Sequence, residues 1–332
     1  VSLNGPLRCE TARDLPPALR GGVVAIGNFD GVHRGHQAVI GHARDIATRE
    51  GRPLVCLTFE PHPRTVFRPD QPVARLTPAP IKAQLLGALG CDAVVEQNFT
   101  RSFAAASADS FVTDSLVDAL GAAHVVVGYD FHYGTRRSGT AQTLRDAGAA
   151  HGFGVSVVDA FDDEGGALVS SSRIRSDIEA GDMAGANALL GYRFMVAGEI
   201  VHGRKLGRTL GYPTANMTLP DDTILMHGIY AVALRRPGGG APLPGVASFG
   251  RRPTFDDGAP LFETFLFDFS DQLYGEHVSV SIFARLRGEL QFDGVEALVR
   301  QMDQDSLEAR AVLDAATPLS PLDALMSFGG GN

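Results

Sequence analysis

Lysine is nearly missing from this chain: Lys82 and Lys205 are the only two among 332 residues, and arginine supplies the rest of the positive charge. That scarcity excludes a Gly-Lys-Ser/Thr phosphate loop, because Ala83 follows Lys82 and Leu206 follows Lys205. No Gly-x-Gly-x-x-Gly dinucleotide fingerprint occurs either. Cysteine is as scarce. Cys9, Cys56 and Cys91 are odd in number and scattered, which argues against a disulfide framework or a zinc site and makes a reducing cytoplasm the expectation. No apolar run approaches the ~20 residues that span a bilayer, so no membrane segment is expected. Residues Val1-Ser2-Leu3-Asn4-Gly5-Pro6 lack the basic-then-apolar order of a secretory leader, and none is expected. Basic charge is in deficit, with a net −9 that both halves share. Neither half is the basic body of a nucleic-acid binder.

What is present is an ordinary globular composition, 44% hydrophobic, at a length that suggests about two domains. Residues 21–160 alternate short β-rich runs (Val23–Ile26, Val55–Phe59, Ala93–Glu96, His124–Val127, Val155–Val158) with helical patterns near 36–50, 80–89, 107–120 and 140–150. Such alternation predicts an α/β domain with a doubly wound parallel sheet. Residues 177–191 read as a helical connector. Then the pattern changes to β-type runs at Phe194–Val201, Ile229–Leu234, Gly245–Phe249, Phe262–Phe267 and Val278–Phe283, followed by a helical stretch near 293–315. This predicts a small antiparallel barrel with a C-terminal helix. The tail from Phe328 is expected to be mobile.

Two histidines stand at a strand–loop–helix junction, in Gly27-Asn28-Phe29-Asp30-Gly31-Val32-His33-Arg34-Gly35-His36. If the helix begins near His33, the two imidazoles share a face of its first turn, where unpaired N–H groups and the positive dipole end favour phosphate. Gly35 leaves room for a ligand against the backbone. In doubly wound sheets, ligands bind outside the carboxyl ends of strands. This loop, Phe59-Glu60-Pro61-His62-Pro63 and Gly128-Tyr129-Asp130-Phe131 would all lie there. On the residues alone, another phosphate-handling transferase and a nucleotide-binding regulator without chemistry both stay open.

A second run, His202-Gly203-Arg204-Lys205-Leu206-Gly207-Arg208-Thr209-Leu210-Gly211-Tyr212-Pro213-Thr214-Ala215-Asn216, repeats glycine every four residues. That allows a tight loop whose N–H groups approach an anion, with Thr214 and Asn216 as hard oxygen ligands for a divalent cation. In Phe262-Glu263-Thr264-Phe265-Leu266-Phe267, an acid interrupts an apolar strand pattern and is costly there without partners.

These strings closely resemble those of bacterial bifunctional FAD synthetases, which join an FMN adenylyltransferase to a riboflavin kinase. The His33/His36 string resembles the nucleotidyltransferase motif. Val127-Gly128-Tyr129-Asp130-Phe131-His132-Tyr133-Gly134 and Ser170-Ser171-Ser172-Arg173-Ile174-Arg175 resemble two further motifs of that half, with Ser172 in place of the usual Thr and His132-Tyr133 in place of Arg-Phe. Pro213-Thr214-Ala215-Asn216 resembles the riboflavin kinase motif, as do Gly228-Ile229-Tyr230 and Arg252-Pro253-Thr254-Phe255. The resemblance implies a Rossmann-like adenylyltransferase domain over 1–186 and a kinase barrel over 187–332. It implies ATP, riboflavin, FMN and FAD as substrates and products, and Mg²⁺ as cofactor. His33 and His36 would act on the adenylyl phosphates, with Gly27, Asn28, Phe29, Asp30, Gly35, Ser170, Ser171, Ser172 and Arg175 around ATP. Asp30 could equally be a structural loop acid, and the serine run a helix cap. Pro61, Pro63 and Asp130 would lie on the flavin side, and His62 is read as a solvent-facing loop histidine. In the kinase half, Gly203, Lys205, Gly207, Gly211, Thr214 and Asn216 would hold ATP, Thr214 and Asn216 the metal, and Arg310 the flavin. Glu263 would be the general base.

Overall fold

The computed structural model describes residues 5–202, 211–220, 222–250 and 260–329. Contacts divide the chain into two units, Val1–Ser170 and Ser171–Asn332.

In the first unit, six parallel strands lie in the order β1-β4-β3-β2-β5-β6. They are β1 Leu7–Cys9, β2 Val23–Ile26, β3 Leu54–Glu60, β4 Ala93–Asn98, β5 His124–Gly128 and β6 Gly154–Val158. Every residue of β2 is buried, as expected of a central parallel strand covered on both faces. Chain order runs from β2 to β3 on one side and returns to β5 on the other. The topological switch point, where such sheets bind ligands, therefore lies at the carboxyl ends of β2 and β5.

Helix α1 (Arg34–Glu50) buries Val39, Ile40, Ala43, Ile46 and Ala47, an apolar stripe at helical spacing, and ends at Gly51 in the left-handed conformation. Then come α2 (Pro63–Phe67) and α3 (Ala79–Ala88). The stretch expected near 107–120 begins as a turn at Ala108–Ser110 and continues as a π-helical segment, Phe111–Ala119. Helix α4 (Ala141–His151) precedes β6. Strand β1 was not foreseen: three residues at the sheet edge carry too little pattern. Cys56 on β3 and Cys91, remote in sequence, bring their Sγ atoms to 2.7 Å as buried free thiols.

The second unit opens with α5 (Ser171–Ala180) and α6 (Met183–Leu190), so the expected connector is two helices parted by Gly181. A closed barrel follows, in the order β10-β11-β8-β7-β12-β9. Its strands are β7 Phe194–Val201, β8 Thr214–Thr218, β9 Gly228–Arg235, β10 Leu243–Gly250, β11 Leu261–Leu266 and β12 His277–Arg287. Helix α7 (Val295–Ala315) packs Ala309 against Ala231 and Phe267. Helix α8 (Pro321–Ser327) was not foreseen. Nor is Phe328 a free tail residue: its ring lies 5.5 Å from that of Phe283, and the Arg193 guanidinium is 5.6 Å from its centre.

Candidate active sites

The loop after β2 winds tightly. Phe29 and Val32 hold positive φ (48° and 37°) beside Gly31 at 85°, conformations that cost a bulky residue about 1–3 kcal/mol each. Side chains from elsewhere grip the loop. Asp30 Oδ1 accepts the N–H groups of Leu76 and Thr77 (3.0 and 3.1 Å), and Thr77 Oγ1 accepts the N–H of Gly31 at 2.9 Å. Asn28 O accepts from Thr58 Oγ1 (3.0 Å) and Lys82 Nζ (3.3 Å), and Val32 O from Gln37 Nε2 (2.8 Å). Asp30 thus anchors the loop.

His33 is the N-cap of α1. Its Nδ1 accepts the N–H of His36 at 3.3 Å, so a neutral His33 carries its proton on Nε2. The two rings stack with centroids 3.7 Å apart, and Phe29 meets His36 edge-on at 5.4 Å. Burial, then His33, then Lys82 push the His36 pKa well below the ordinary histidine range. At neutral pH His36 is uncharged, and its buried Nδ1 has no hydrogen-bond partner among the described residues. A Cβ on Gly35 would lie 3.2 Å from the His33 ring, while one on Gly27 would lie 2.9 Å from the Phe29 ring. The room at Gly35 is therefore occupied in part by His33 itself.

Beneath the loop lies a charged cluster that the motifs did not reveal. Lys82 on α3 has no exposed surface, and its Nζ lies 2.6 Å from Glu60 Oε1. Arg75 binds Glu60 through both nitrogens at 2.6 Å, and its Nε is 3.7 Å from Asp30 Oδ1. Burial works against the Glu60 charge, but Arg75 and Lys82 outweigh it and hold its pKa at about 2. Burial also lowers the Lys82 pKa, and Glu60 opposes that. The available signal was a lysine within the otherwise apolar buried face of α3, beside Ile81, Ala83, Leu85 and Leu86.

In the loop after β3, Pro61 follows a cis peptide and Pro63 is the first residue of α2. His62 is 9% exposed and its Nδ1 caps α2 by accepting the Arg64 N–H, which corrects the solvent-facing expectation. Asp130 is exposed beyond β5, and its carbonyl pairs with His132 Nδ1 at 2.8 Å. Ser170 ends the first unit. Ser171, Ser172 and Arg175 lie on α5 in the second.

In the barrel, β8 and β11 pair antiparallel so that Glu263 faces Asn216 and Phe265 faces Thr214. Residues two apart on a strand share a face, so Thr214, Asn216 and Glu263 stand on one face of the pair. Glu263 also pairs with Ser248 of β10; it belongs to an interior strand, not an edge. Asn216 is 4% exposed and its Oδ1 has no partner among the described residues. Such an orphaned buried acceptor fits a cation. No group of three or more His, Cys, Asp or Glu suited to a metal occurs among the described residues, so a cation here would rest on neutral oxygens and its substrate. Gly211 has a φ of 86°. Next to it, the Tyr212 hydroxyl donates a short bond to Asp303 of α7, and burial and then that carboxylate push the tyrosine up to about 12. The Arg310 guanidinium lies 4.1 Å over the Phe267 ring and 3.0 Å from Asp268. Gly203, Lys205, Gly207 and the Arg252–Phe255 string lie outside the described residues.

Among the described residues, no helix is long and apolar enough to cross a membrane. Comparison with known proteins gives two family matches: FAD synthetase over residues 15–173 and riboflavin kinase over residues 190–313. A bifunctional riboflavin kinase/FMN adenylyltransferase of Escherichia coli K12 is 38% identical over 298 residues, covering 90% of this chain and 95% of that one. One of the same description from Pseudomonas fluorescens is 40% identical over 300 residues, with 90% and 95% covered. A crystal structure described as a macrolide-efflux protein from Streptococcus pneumoniae superposes with a TM-score of 0.79 at 30% identity, covering 94% of this chain and 99% of that one.

Proposed function

The chain belongs to the bifunctional riboflavin kinase/FMN adenylyltransferase family, and on that premise we propose how its residues divide the two reactions, both of which consume ATP. Residues 1–186 form the adenylyltransferase domain and residues 187–332 the kinase domain. The work takes place in the cytoplasm.

In adenylyl transfer, a phosphate oxygen of FMN attacks the α-phosphorus of ATP, and the bond to the pyrophosphate oxygen breaks. Charge spreads over the oxygens in flight, so the protein's task is positioning and electrostatic stabilisation. His33 and His36 donate N–H bonds to those oxygens. No covalent intermediate forms on either imidazole. The N–H groups at the start of α1 and the loop residues Gly27, Asn28, Phe29 and Gly35 cradle the nucleotide, with Asp30 holding the loop's shape. Arg175 pairs with the departing phosphates through its planar fork, and Ser170, Ser171 and Ser172 add hydroxyls. Pro61, Pro63 and Asp130 border the flavin.

In the kinase half, Glu263 accepts the proton of the ribityl 5′-hydroxyl as its oxygen attacks the γ-phosphorus of ATP and the bond from that phosphorus to the β–γ bridging oxygen breaks, releasing ADP. The donor set of Thr214 and Asn216 fits Mg²⁺, and the orphaned Asn216 Oδ1 supports this. When bound, Mg²⁺ neutralises phosphate charge. Gly203, Lys205, Gly207 and Gly211 bind ATP, and Arg310 borders the flavin, braced by Phe267 and Asp268.

The observation that supports this division is that the stacked histidines and the Glu263–Asn216 pair belong to different units. The stacked histidines lie at the switch point of one sheet, and Glu263 stands opposite Asn216 in the other unit's barrel. Incubating the purified protein with riboflavin, ATP and Mg²⁺ and resolving the flavins tests it. FMN followed by FAD is expected; unchanged riboflavin with an intact fold refutes it.

A further inference from the structure

We infer that Lys82 is a positioning residue for adenylyl transfer, holding the Asn28 carbonyl from below and thereby fixing the loop that presents His33 and His36 to the phosphates. The inference rests on the reading that those histidines carry this reaction.

A fully buried ammonium is a poor choice for stability alone. Desolvation opposes it, and a well-packed apolar side chain serves as well or better in its place. Yet one of the chain's two lysines is spent on a site with no exposed surface. Its three donors go to Glu60 Oε1 at 2.6 Å, Thr58 Oγ1 at 2.9 Å and Asn28 O at 3.3 Å. Thr58 Oγ1 accepts from Lys82 and donates to the same Asn28 carbonyl at 3.0 Å. Two donors therefore converge on one oxygen, and that oxygen belongs to the residue before Phe29, where the chain turns into positive φ. A carbonyl held by two donors, one of them charged, resists the peptide rotation that would relax Phe29.

The hold is shared. Glu60 is clamped by Arg75 through two bonds, Arg75 stands beside Asp30, and Asp30 and Thr77 fix the next turn of the loop. Strand β3, the 75–77 segment and α3 thus act on residues 28–31, immediately before the histidines. Lys82 reaches the chemistry through Asn28. Its charge does reach His36, adding to the burial and the His33 contact that keep that ring neutral.

The test uses the full chain and both of its reactions. Lys82→Met keeps the stem and removes the charge. It is expected to lower kcat for FMN to FAD by at least ~30-fold, the scale of a displaced catalytic loop, while the KM for FMN stays within ~2-fold. Riboflavin phosphorylation is expected to be unchanged. Hydrogen exchange of the β2, β3 and β5 amides reports whether the first unit is folded. Thr58→Val removes one donor to Asn28 without changing charge, and should lower the same kcat by ~5-fold; it decides the matter if Lys82→Met does not fold. The double variant Lys82→Met/Glu60→Gln separates positioning from charge balance. If Lys82 only neutralises Glu60, the double variant regains wild-type kcat, which overturns the inference; persistent loss supports it. Equal rises in both KM values with kcat unchanged overturn it, as does a Thr58→Val kcat equal to wild type. Retention of FAD synthesis by His36→Ala would refute the underlying histidine reading instead.

Discussion

Asp323 on α8 has no exposed surface and takes the charge of Arg193 at the start of β7. Its Oδ1 accepts the Arg193 N–H at 2.9 Å, and its Oδ2 accepts the Leu319 N–H at 2.9 Å and a short bond from the Arg193 guanidinium. Arg193 also donates to Thr317 O at 3.0 Å and lies over the Phe283 and Phe328 rings. Asp323→Ala leaves that guanidinium buried without its counter-charge and orphans two N–H groups. Breaking one partner of a buried pair costs about 3–5 kcal/mol. For a unit of this size a kcal/mol moves Tm by about 2–4 °C, so the kinase unit should melt roughly 6–20 °C lower. The assay is residual activity after brief heating: riboflavin phosphorylation should be lost at the lower temperature, while hydrogen-exchange protection of the β2, β3 and β5 amides of the first unit persists as in the wild type. A Tm shift under ~2 °C would show that Asp323 does not carry a buried charge. Simultaneous loss of that protection would show that the units do not melt separately.

Gly35→Ala should gain up to ~1 kcal/mol of helix stability, yet its Cβ presses on the His33 ring. FAD synthesis should fall ~3–10-fold with Tm unchanged or raised, and an unaltered rate would mean that the ring position is not critical. The Glu60 pKa is depressed on folding, so its stabilisation is complete above the unfolded value near 4.3 and is lost as pH falls toward about 2. Allowing for partial exposure, ~1–3 kcal/mol of the first unit's stability should disappear across that window in urea titrations, and Glu60→Gln should flatten the dependence; an equal slope in the variant would contradict it. Asn216→Ala should raise the Mg²⁺ concentration needed for riboflavin phosphorylation ~10–100-fold and leave FMN adenylylation alone, whereas an unchanged Mg²⁺ response would remove Asn216 from the metal site.

The layers were legible because they follow from period and run length. Val23–Ile26 and Phe194–Val201 match β2 and β7 at both ends, and the other foreseen strands are right to within a few residues. Strand β8 was hidden by its composition: Thr214-Ala215-Asn216 is too polar to look like a strand, yet pairing with β11 is what sets Asn216 opposite Glu263. The histidine junction was also legible, including the helix start at His33. The lowered pKa of His36 was not, because it depends on burial, then on His33, and on Lys82, 46 residues beyond His36 in the chain. The Lys82–Glu60–Arg75 cluster shows the same limit. Each member looks ordinary in its own segment, and only the fold, which brings Lys82 of α3 and Arg75 to Glu60 at the end of β3, makes them one group. Cys56 and Cys91 met for a similar reason, since neighbouring β3 and the turn before β4 were distant only in sequence.

The most direct measurement supplies riboflavin, ATP and Mg²⁺ to the wild type, His36→Ala and Glu263→Ala and separates the flavins over time, with a second series started from FMN. His36→Ala should accumulate FMN without FAD. Glu263→Ala should lower riboflavin phosphorylation by ~10²–10⁴-fold yet convert supplied FMN to FAD at the wild-type rate. A folded variant in which either single change abolishes both reactions would contradict two separate sites in one chain.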